Sequence, residues 1–305
     1  MKILVLGNSS VFNRKVLPAF KKFKNLEIEL ASKRIIKNDL VYSKNYKSYT
    51  NALKKTKAKL VYISLVNSKH YFWAKKCLEY KKHVIIDKPF TLNFKETSYL
   101  ILLAKKYNLF ISEVIVFHYH KQFKQILKKI NFKKNVEINT FFHIPKLEQR
   151  NFRNSQQLGG GCFQDMSSYA AYMIKIFFKK KKFIFKKINH NYFLRNSNSF
   201  SFIAKTSKTI LKSSFSFNKP YKNYMIIKSD NNKYKINYIF SPPIDRNLIV
   251  SNFDNKSKKN ITISFQTQNT FYTYFKKIFN IIEKKKFSFF YKELNLTSEI
   301  KNDII

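Results

Sequence analysis

The chain has 305 residues, is 44% hydrophobic and carries 32 Phe and 19 Tyr, which is ample for two cores and excludes a disordered basic tail. Its net charge of +43 comes from 60 Lys and Arg against 17 Asp and Glu, but only six of the basic residues are Arg; nucleic-acid readers concentrate Arg on one face, so the charge reads as a solvated lysine surface and no specific nucleic-acid partner is expected. Two cysteines, Cys77 and Cys162, give neither a disulfide framework nor a metal spacing, and no apolar run reaches the ~18 residues of a membrane span, so a cytoplasmic protein without a signal peptide, membrane contact or bound metal is expected.

In chain order, short apolar runs at 3–6, 26–31, 60–65, 83–87 and 109–113 alternate with helical patterns at 11–23, 47–57, 69–80 and 93–107. Strands alternating with helices of this length predict a parallel sheet covered on both faces. Pro18 lies inside the first helical pattern and is expected to kink or restart it. After residue 118 the rhythm changes. Helical patterns at 119–130 and from the triple glycine to 178 precede strand-like runs at 183–188, 199–204, 208–217, 223–229, 233–240 and 260–266. Asp230-Asn231-Asn232 is a turn between two of these. A helix at 268–284 and a short terminal one close the chain. The expectation is an α/β protein: a parallel-sheet domain over 1–117, then an α+β domain over 118–305 with a largely antiparallel open sheet.

Only four glycines occur, Gly7 and the run Gly159-Gly160-Gly161, where ordinary usage of about 7% would give about 21. Those kept mark places where no other residue serves. Gly7 ends the first strand and starts a helix. Against the dinucleotide fingerprint G-x-G-x-x-G only this first glycine remains; Ser9 is small enough for backbone N–H groups to approach a pyrophosphate, whereas Phe12 breaks the close helix–strand packing wanted there. At the end of the second strand Ser32-Lys33-Arg34 supplies cations where an NAD site has a carboxylate, which favours a 2′-phosphate and hence NADP(H), with NAD(H) possible. The triple glycine is read as letting the chain pass close to a cofactor face. It leads into a helix with Asp165 and Tyr169 four residues apart, on one face. Each of these positions also has a structural reading: a common strand-to-helix turn for Gly7, a core tyrosine for Tyr169, and a dipole-favoured early-helix carboxylate for Asp165.

The segment from Val61 to His70, followed by His83-Val84-Ile85-Ile86-Asp87-Lys88-Pro89-Phe90, resembles the "sLPNslH" and "GkHVlcEKPl" segments of the glucose–fructose oxidoreductase/inositol dehydrogenase (Gfo/Idh/MocA) family. Glu113 with His120-Lys121-Gln122, and Leu158 to Asp165, resemble its "E…mfrhHpq" and "lGGGalLD" segments. Tyr169 stands where sugar 3-ketoreductases and glucose–fructose oxidoreductases also have Tyr. Residues 14–20 and 217–243 look like the ketoreductase branch too. Asp87 in place of Glu, Phe12 and the missing glycines are departures that bear on cofactor affinity.

The resemblance implies a Rossmann domain, a nicotinamide cofactor, a sugar or sugar-nucleotide substrate and a homo-oligomer formed through the C-terminal sheet. It makes Lys88, Tyr169 and Asp165 catalytic, with Lys88 and Tyr169 reaching the substrate oxygen from opposite sides of a domain cleft. Cofactor contacts fall to Gly7, Ser9, Ser10, Val11, Ser32, Lys33, Arg34, Leu65, Asn67, His70, Asp87 and Lys88. Substrate contacts fall to Arg153, His120 and Asp165. The structural alternatives are a solvated strand end for Lys88, a surface ion pair for Arg153 and a packed histidine for His70. His118 and His120 have no thiol or carboxylate cluster beside them, so no metal is assigned. The expected activity is ketosugar reduction; the alternative is a catalytically lapsed member kept as a binding or scaffold protein.

Overall fold

Strand β1 (Lys2–Leu6) is buried along almost its whole length, as are β2 (Glu27–Ala31), β4 (Leu60–Ile63), β5 (His83–Ile86) and β6 (Ile111–Glu113). Continuous burial without alternation is what a parallel strand covered on both faces requires. With the short β3 (Lys44–Tyr46) they form one sheet in the order β3-β2-β1-β4-β5-β6, every pair parallel. The computed structural model describes residues 1–33, 41–178, 182–193 and 196–305. Strand β3 was not expected; three residues are too few for a hydrophobic period to register.

Helices α1 (Leu17–Phe20), α2 (Tyr49–Lys55), α3 (His70–Glu79) and α4 (Phe94–Lys106) connect these strands. Pro18 restarts the first of them: a π-helical turn over Phe12–Val16 precedes α1, which begins one residue before the proline. Asn93 caps α4 by accepting from the Glu96 amide at 2.9 Å. Helices α3 and α4 end in paired reverse bonds, Lys82 N to the Cys77 carbonyl and Leu109 N to the Ala104 carbonyl, both 2.9 Å. The left-handed residue of each such ending is normally glycine. Here it is Lys81 (φ 56°) and Asn108 (φ 50°), so this chain has given up glycine where the cost is only about 1 kcal/mol.

Two compact units are present. One comprises Met1–Val114, Gln157–Gly159 and Phe271–Asn302; the other Ile115–Gln156, Gly160–Thr270 and Asp303–Ile305. The first break lies three residues before the expected boundary at 117/118, and the C-terminal helices α7 (Thr270–Glu283) and α8 (Ser288–Ile304) return to the first unit rather than extending the second. Helix α8, expected to be short, has 17 residues. Phe275 sits 4.6 Å from Phe20, the Tyr274 hydroxyl is 2.8 Å from that of Ser112, and the Tyr291 hydroxyl donates to the Leu109 carbonyl at 2.6 Å. The aromatic faces of these helices complete the core of the parallel-sheet unit.

In the second unit eight strands pair in the order β14-β13-β12-β11-β7-β10-β9-β8. They are β7 (Val136–His143), β8 (Ile184–Phe193), β9 (Asn196–Lys205), β10 (Thr209–Ser216), β11 (Lys222–Ser229), β12 (Asn232–Asn237), β13 (Leu248–Asp254) and β14 (Lys259–Phe265). Only β7 and β10 are parallel; the other pairs are antiparallel. The fold is therefore the expected pairing of a parallel sheet with a largely antiparallel one. Asp230 and Asn231 link β11 to β12, since Ser229 pairs with Asn232. Strands β7 and β13 escaped the sequence reading because polar residues, Glu137, Asn139, Ser251 and Asn252, interrupt their apolar runs. One sheet face buries Ile138, Phe202, Leu211, Phe215, Met225 and Val250. Helix α6 (Cys162–Phe178) packs on β9 and β10, and α5 (Lys121–Lys129) on β12.

Candidate active site

The order of the parallel sheet places β1 between β2 and β4, with later strands running outward on each side. In open α/β sheets the crevice outside the carboxyl ends of the strands at this reversal is where ligands bind. Gly7 stands there, at φ +97°, directly after β1. A Cβ on Gly7 would lie 2.3 Å from the Ser64 carbonyl oxygen, so β1 and β4 approach too closely for any other residue. Ser9 turns its hydroxyl inward. It lies 2.7 Å from the Ser64 hydroxyl and accepts from the Phe12 amide at 3.0 Å. Ser10 is exposed and Val11 half-buried at the start of the helix. Phe12 is fully buried, 6.3 Å from Phe20 and 6.0 Å from Tyr62 by ring centroids. The wide π-helical turn accommodates a ring where the fingerprint has a small residue.

The same polar thread continues to the end of β5. Asp87 accepts from the Ser64 hydroxyl at 2.6 Å and from the Tyr62 hydroxyl. Burial raises the Asp87 carboxyl above the usual range, against the two hydrogen bonds that favour its ionised form. Lys88 follows, then Pro89 through a cis bond. His70 is fully buried, with Nδ1 2.7 Å from the Pro89 carbonyl and Nε2 3.0 Å from the Leu65 carbonyl. Both ring nitrogens face backbone acceptors, of which a neutral imidazole can donate to only one, so this histidine is packed between two strand ends. Asn67 is likewise committed, donating to the Gly159 carbonyl at 2.8 Å. At the end of β2, Ser32 is buried and its amide donates to the Tyr46 carbonyl at 2.9 Å, while Lys33 is exposed. Arg34 lies outside the described residues. These strand ends fit a dinucleotide: the helix start opens at the sheet reversal, and an exposed cation ends the neighbouring strand.

In the second unit, Arg153 Nε donates to Asp165 Oδ1 at 2.8 Å. Asp165 is buried in the first turn of α6, and its amide donates to the Gly161 carbonyl at 3.0 Å. The glycines before it serve this corner. A Cβ on Gly160 would fall 2.4 Å from the Arg153 carbonyl oxygen, while Gly160 N and Gly161 N donate to the Ser155 and Arg153 carbonyls at 2.8 and 2.7 Å. Gly160 is thus required by the chain's own crossing, and a Cβ on Gly159 would fall 2.8 Å from Asn67 Cβ and 2.9 Å from Ser68 N. Tyr169, one turn after Asp165, is half-buried among Phe117, Phe142 and Phe240, at ring distances of 6.1, 5.4 and 5.2 Å. His120 is buried and caps α5, Nδ1 accepting from the Gln122 amide at 3.2 Å; burial pushes its pKa down to about 4. That placement makes it a helix cap before anything else.

Sequence reasoning passed over Tyr62 and Ser64, the donors to Asp87, and the aromatic residues around Tyr169. Two hydroxyls near the end of β4 were a signal only once Asp87 was known to be their neighbour. Among the described residues no group of three or more His, Cys, Asp or Glu side chains gathers to hold a metal, and no helix is long and apolar enough to cross a membrane.

Residues 1–114 match an oxidoreductase family with an NAD-binding Rossmann fold, Gfo/Idh/MocA. The chain is 28% identical over 179 residues to the dTDP-3,4-didehydro-2,6-dideoxy-alpha-D-glucose 3-reductase of Saccharopolyspora spinosa, covering 56% of this chain and 54% of that enzyme. It is 22% identical over 182 residues to the D-xylose 1-dehydrogenase (NADP(+)) 2 of Haloferax volcanii, covering 57% and 56%. The matched regions thus span about half the length of these curated relatives. The fold matches a 3-ketoreductase from Actinomadura kijaniata, solved in complex with NADP and TDP-benzene, with a TM-score of 0.91 at 18% identity over 100% of this chain and 96% of that one. Over residues 1–114, with the strand order of its parallel sheet, the chain is thus similar to the Gfo/Idh/MocA oxidoreductases.

Proposed function

We propose that this protein is an NADP(H)-dependent oxidoreductase that reduces the keto group of a sugar nucleotide. The observation that carries this reading is Lys88 at the carboxyl end of β5, two strands from the sheet reversal at Gly7, in a chain whose α6 helix bears Asp165 and Tyr169. A bound nicotinamide supplies the hydride that reaches the carbonyl carbon. The protein's part is the oxygen. Tyr169 donates a proton to it, and the Lys88 ammonium stabilises the negative charge developing there and on the phenolate. Product is an alcohol and the oxidised cofactor.

Asp165, held by Arg153, orients substrate hydroxyls. Lys33 and Arg34 take the 2′-phosphate of NADP(H), which sets the preference over NAD(H). The name of the Saccharopolyspora relative and the NADP in the Actinomadura structure support both the substrate class and the cofactor. The uncovered face of the eight-stranded sheet, lined by Phe141, Tyr224, Ile203 and Lys212, joins copies into a homo-oligomer, which light scattering tests as a mass above one chain. NADPH oxidation followed with a dTDP-linked 3-ketosugar tests the activity. Turnover at a rate typical of enzymes supports the reading. No turnover with cofactor bound, or no binding of either cofactor, replaces it with the lapsed binding or scaffold protein.

A further inference from the structure

Four successive residues after Lys88 are held by titratable side chains, each from a different element. The Pro89 carbonyl faces His70 Nδ1 of α3 at 2.7 Å. The Phe90 amide donates to Glu113 Oε1 of β6 at 2.8 Å. The Thr91 carbonyl accepts from Lys301 Nζ of α8 at 3.3 Å, and the Leu92 amide donates to Glu96 Oε2 of α4 at 3.2 Å. The Thr91 hydroxyl adds bonds to the Asn93 carbonyl and the Thr97 hydroxyl, at 2.9 and 2.6 Å. All of these residues belong to the first unit.

Lys301 is the informative member. Among the described residues Lys301 is the only Lys or Arg with under 9% of its surface exposed, at 8%. Burying an ammonium is costly unless it is paired. Glu113 and Glu96 supply the compensating charge, although burial still pulls its pKa below the usual lysine value. An apolar residue at this position would pack α8 without that cost. What only an amine supplies is the bond to the Thr91 carbonyl, between two amides already fixed by carboxylates.

We propose that Lys301, together with His70, is a positioning residue that immobilises segment 89–92 and so presents Lys88 at a fixed point. The inference rests on the reading of Lys88 as catalytic. It assigns a role in the reaction to the last helix of the chain, 213 positions beyond Lys88 in the numbering.

The test is Lys301→Met, which removes the ammonium and keeps the aliphatic stem. Hydrogen exchange at the amides of residues 88 and 90–93 is expected to quicken about 10–100-fold, the equivalent of one lost charged hydrogen bond, while peptides of β1 and β4 keep wild-type rates. In the same variant kcat falls by a similar factor, with KM and the dissociation constant for NADPH nearly unchanged. His70→Asn keeps a donor near Pro89 and retains most of kcat; His70→Leu reproduces the Lys301→Met pattern and serves if that variant misfolds. Unchanged exchange at 88–93, or exchange quickened equally throughout the first unit, overturns the proposal. Exchange needs no turnover, so an inactive wild type counts against the reductase reading alone, while the amides still decide whether Lys301 holds the segment.

Discussion

Gly160→Ala separates a folding role for the triple glycine from a cofactor role. The added Cβ would sit 2.4 Å from the Arg153 carbonyl oxygen, 2.6 Å from its carbon and 2.7 Å from the Ser155 carbonyl oxygen. All three are backbone atoms, and ordinary contact is about 3.5–4.0 Å, so the two stretches must move apart by roughly 1 Å. That movement breaks the bonds from Gly160 N to Ser155 and from Gly161 N to Arg153. Two hydrogen bonds at ~0.5–1.5 kcal/mol each, with overpacking strain of ~1–3 kcal/mol, give a loss of roughly 3–5 kcal/mol. For a unit of this size that lowers Tm by roughly 6–20 °C. Calorimetry reads the shift, and cofactor titration of the folded variant at low temperature should give a near wild-type dissociation constant. A loss under ~1 kcal/mol, or normal stability with abolished cofactor binding, refutes the argument.

Three further outcomes are expected. Titration should show NADPH bound more tightly than NADH, and Lys33→Glu should reduce or invert the preference; equal affinities in the wild type would sink the assignment of the Ser32–Arg34 stretch. Lys88→Ala should cut kcat severely with cofactor binding nearly intact, Tyr169→Phe should cost about 10²–10⁴-fold, and on the proposed mechanism the double variant should lose less than the product of the two. In acid, His83, His120 and His143 matter because burial pushes each to about 4 in the fold, against ~6.5 unfolded. The unfolded chain then binds protons that the folded chain refuses, so stability is full above pH ~6.5 and falls as pH drops toward 4. Each group contributes at most ~1.4 kcal/mol per pH unit; halved for partial solvation, the three give roughly 2 kcal/mol per unit, and a flat denaturation profile from pH 6.5 to 4.5 would contradict this.

The parallel half of the fold was legible because its strands are buried on both faces, so their apolar runs are continuous and their ends abrupt. The antiparallel half was legible only in part. Strand β7 alternates Val136, Ile138 and Thr140 inward with Glu137, Asn139 and Phe141 outward, and Glu137 meets Lys212 and Lys228 from the neighbouring strands at 3.0 and 3.3 Å. A strand whose outer residues find their partners 75 and 91 positions away in the sequence carries no local sign of them. The return of α7 and α8 to the first unit is equally nonlocal: the aromatic residues of α7 match Phe20 and Tyr62 in shape, which no reading of 270–283 alone reveals.

At the site, residue types were legible and their partners were not. Lys88, Asp165 and Tyr169 stand out by spacing beside proline or glycine. What holds them comes from distant elements. The lost fingerprint shows how the pieces compensate. Without glycine at position 9, the Ser9 side chain must go somewhere, and it goes inward to Ser64, which in turn donates to Asp87. Without a small residue at position 12, Phe12 fills the space between Phe20 and Tyr62, and Tyr62 places its hydroxyl on the same Asp87. Both departures from the fingerprint therefore converge on the residue that precedes Lys88. A carboxylate shorter than the family's glutamate suits that convergence, because it accepts from β4 neighbours at the strand end and need not reach farther. Substitutions that look like separate defects along the sequence form one hydrogen-bonded and aromatic cluster beneath the proposed catalytic lysine.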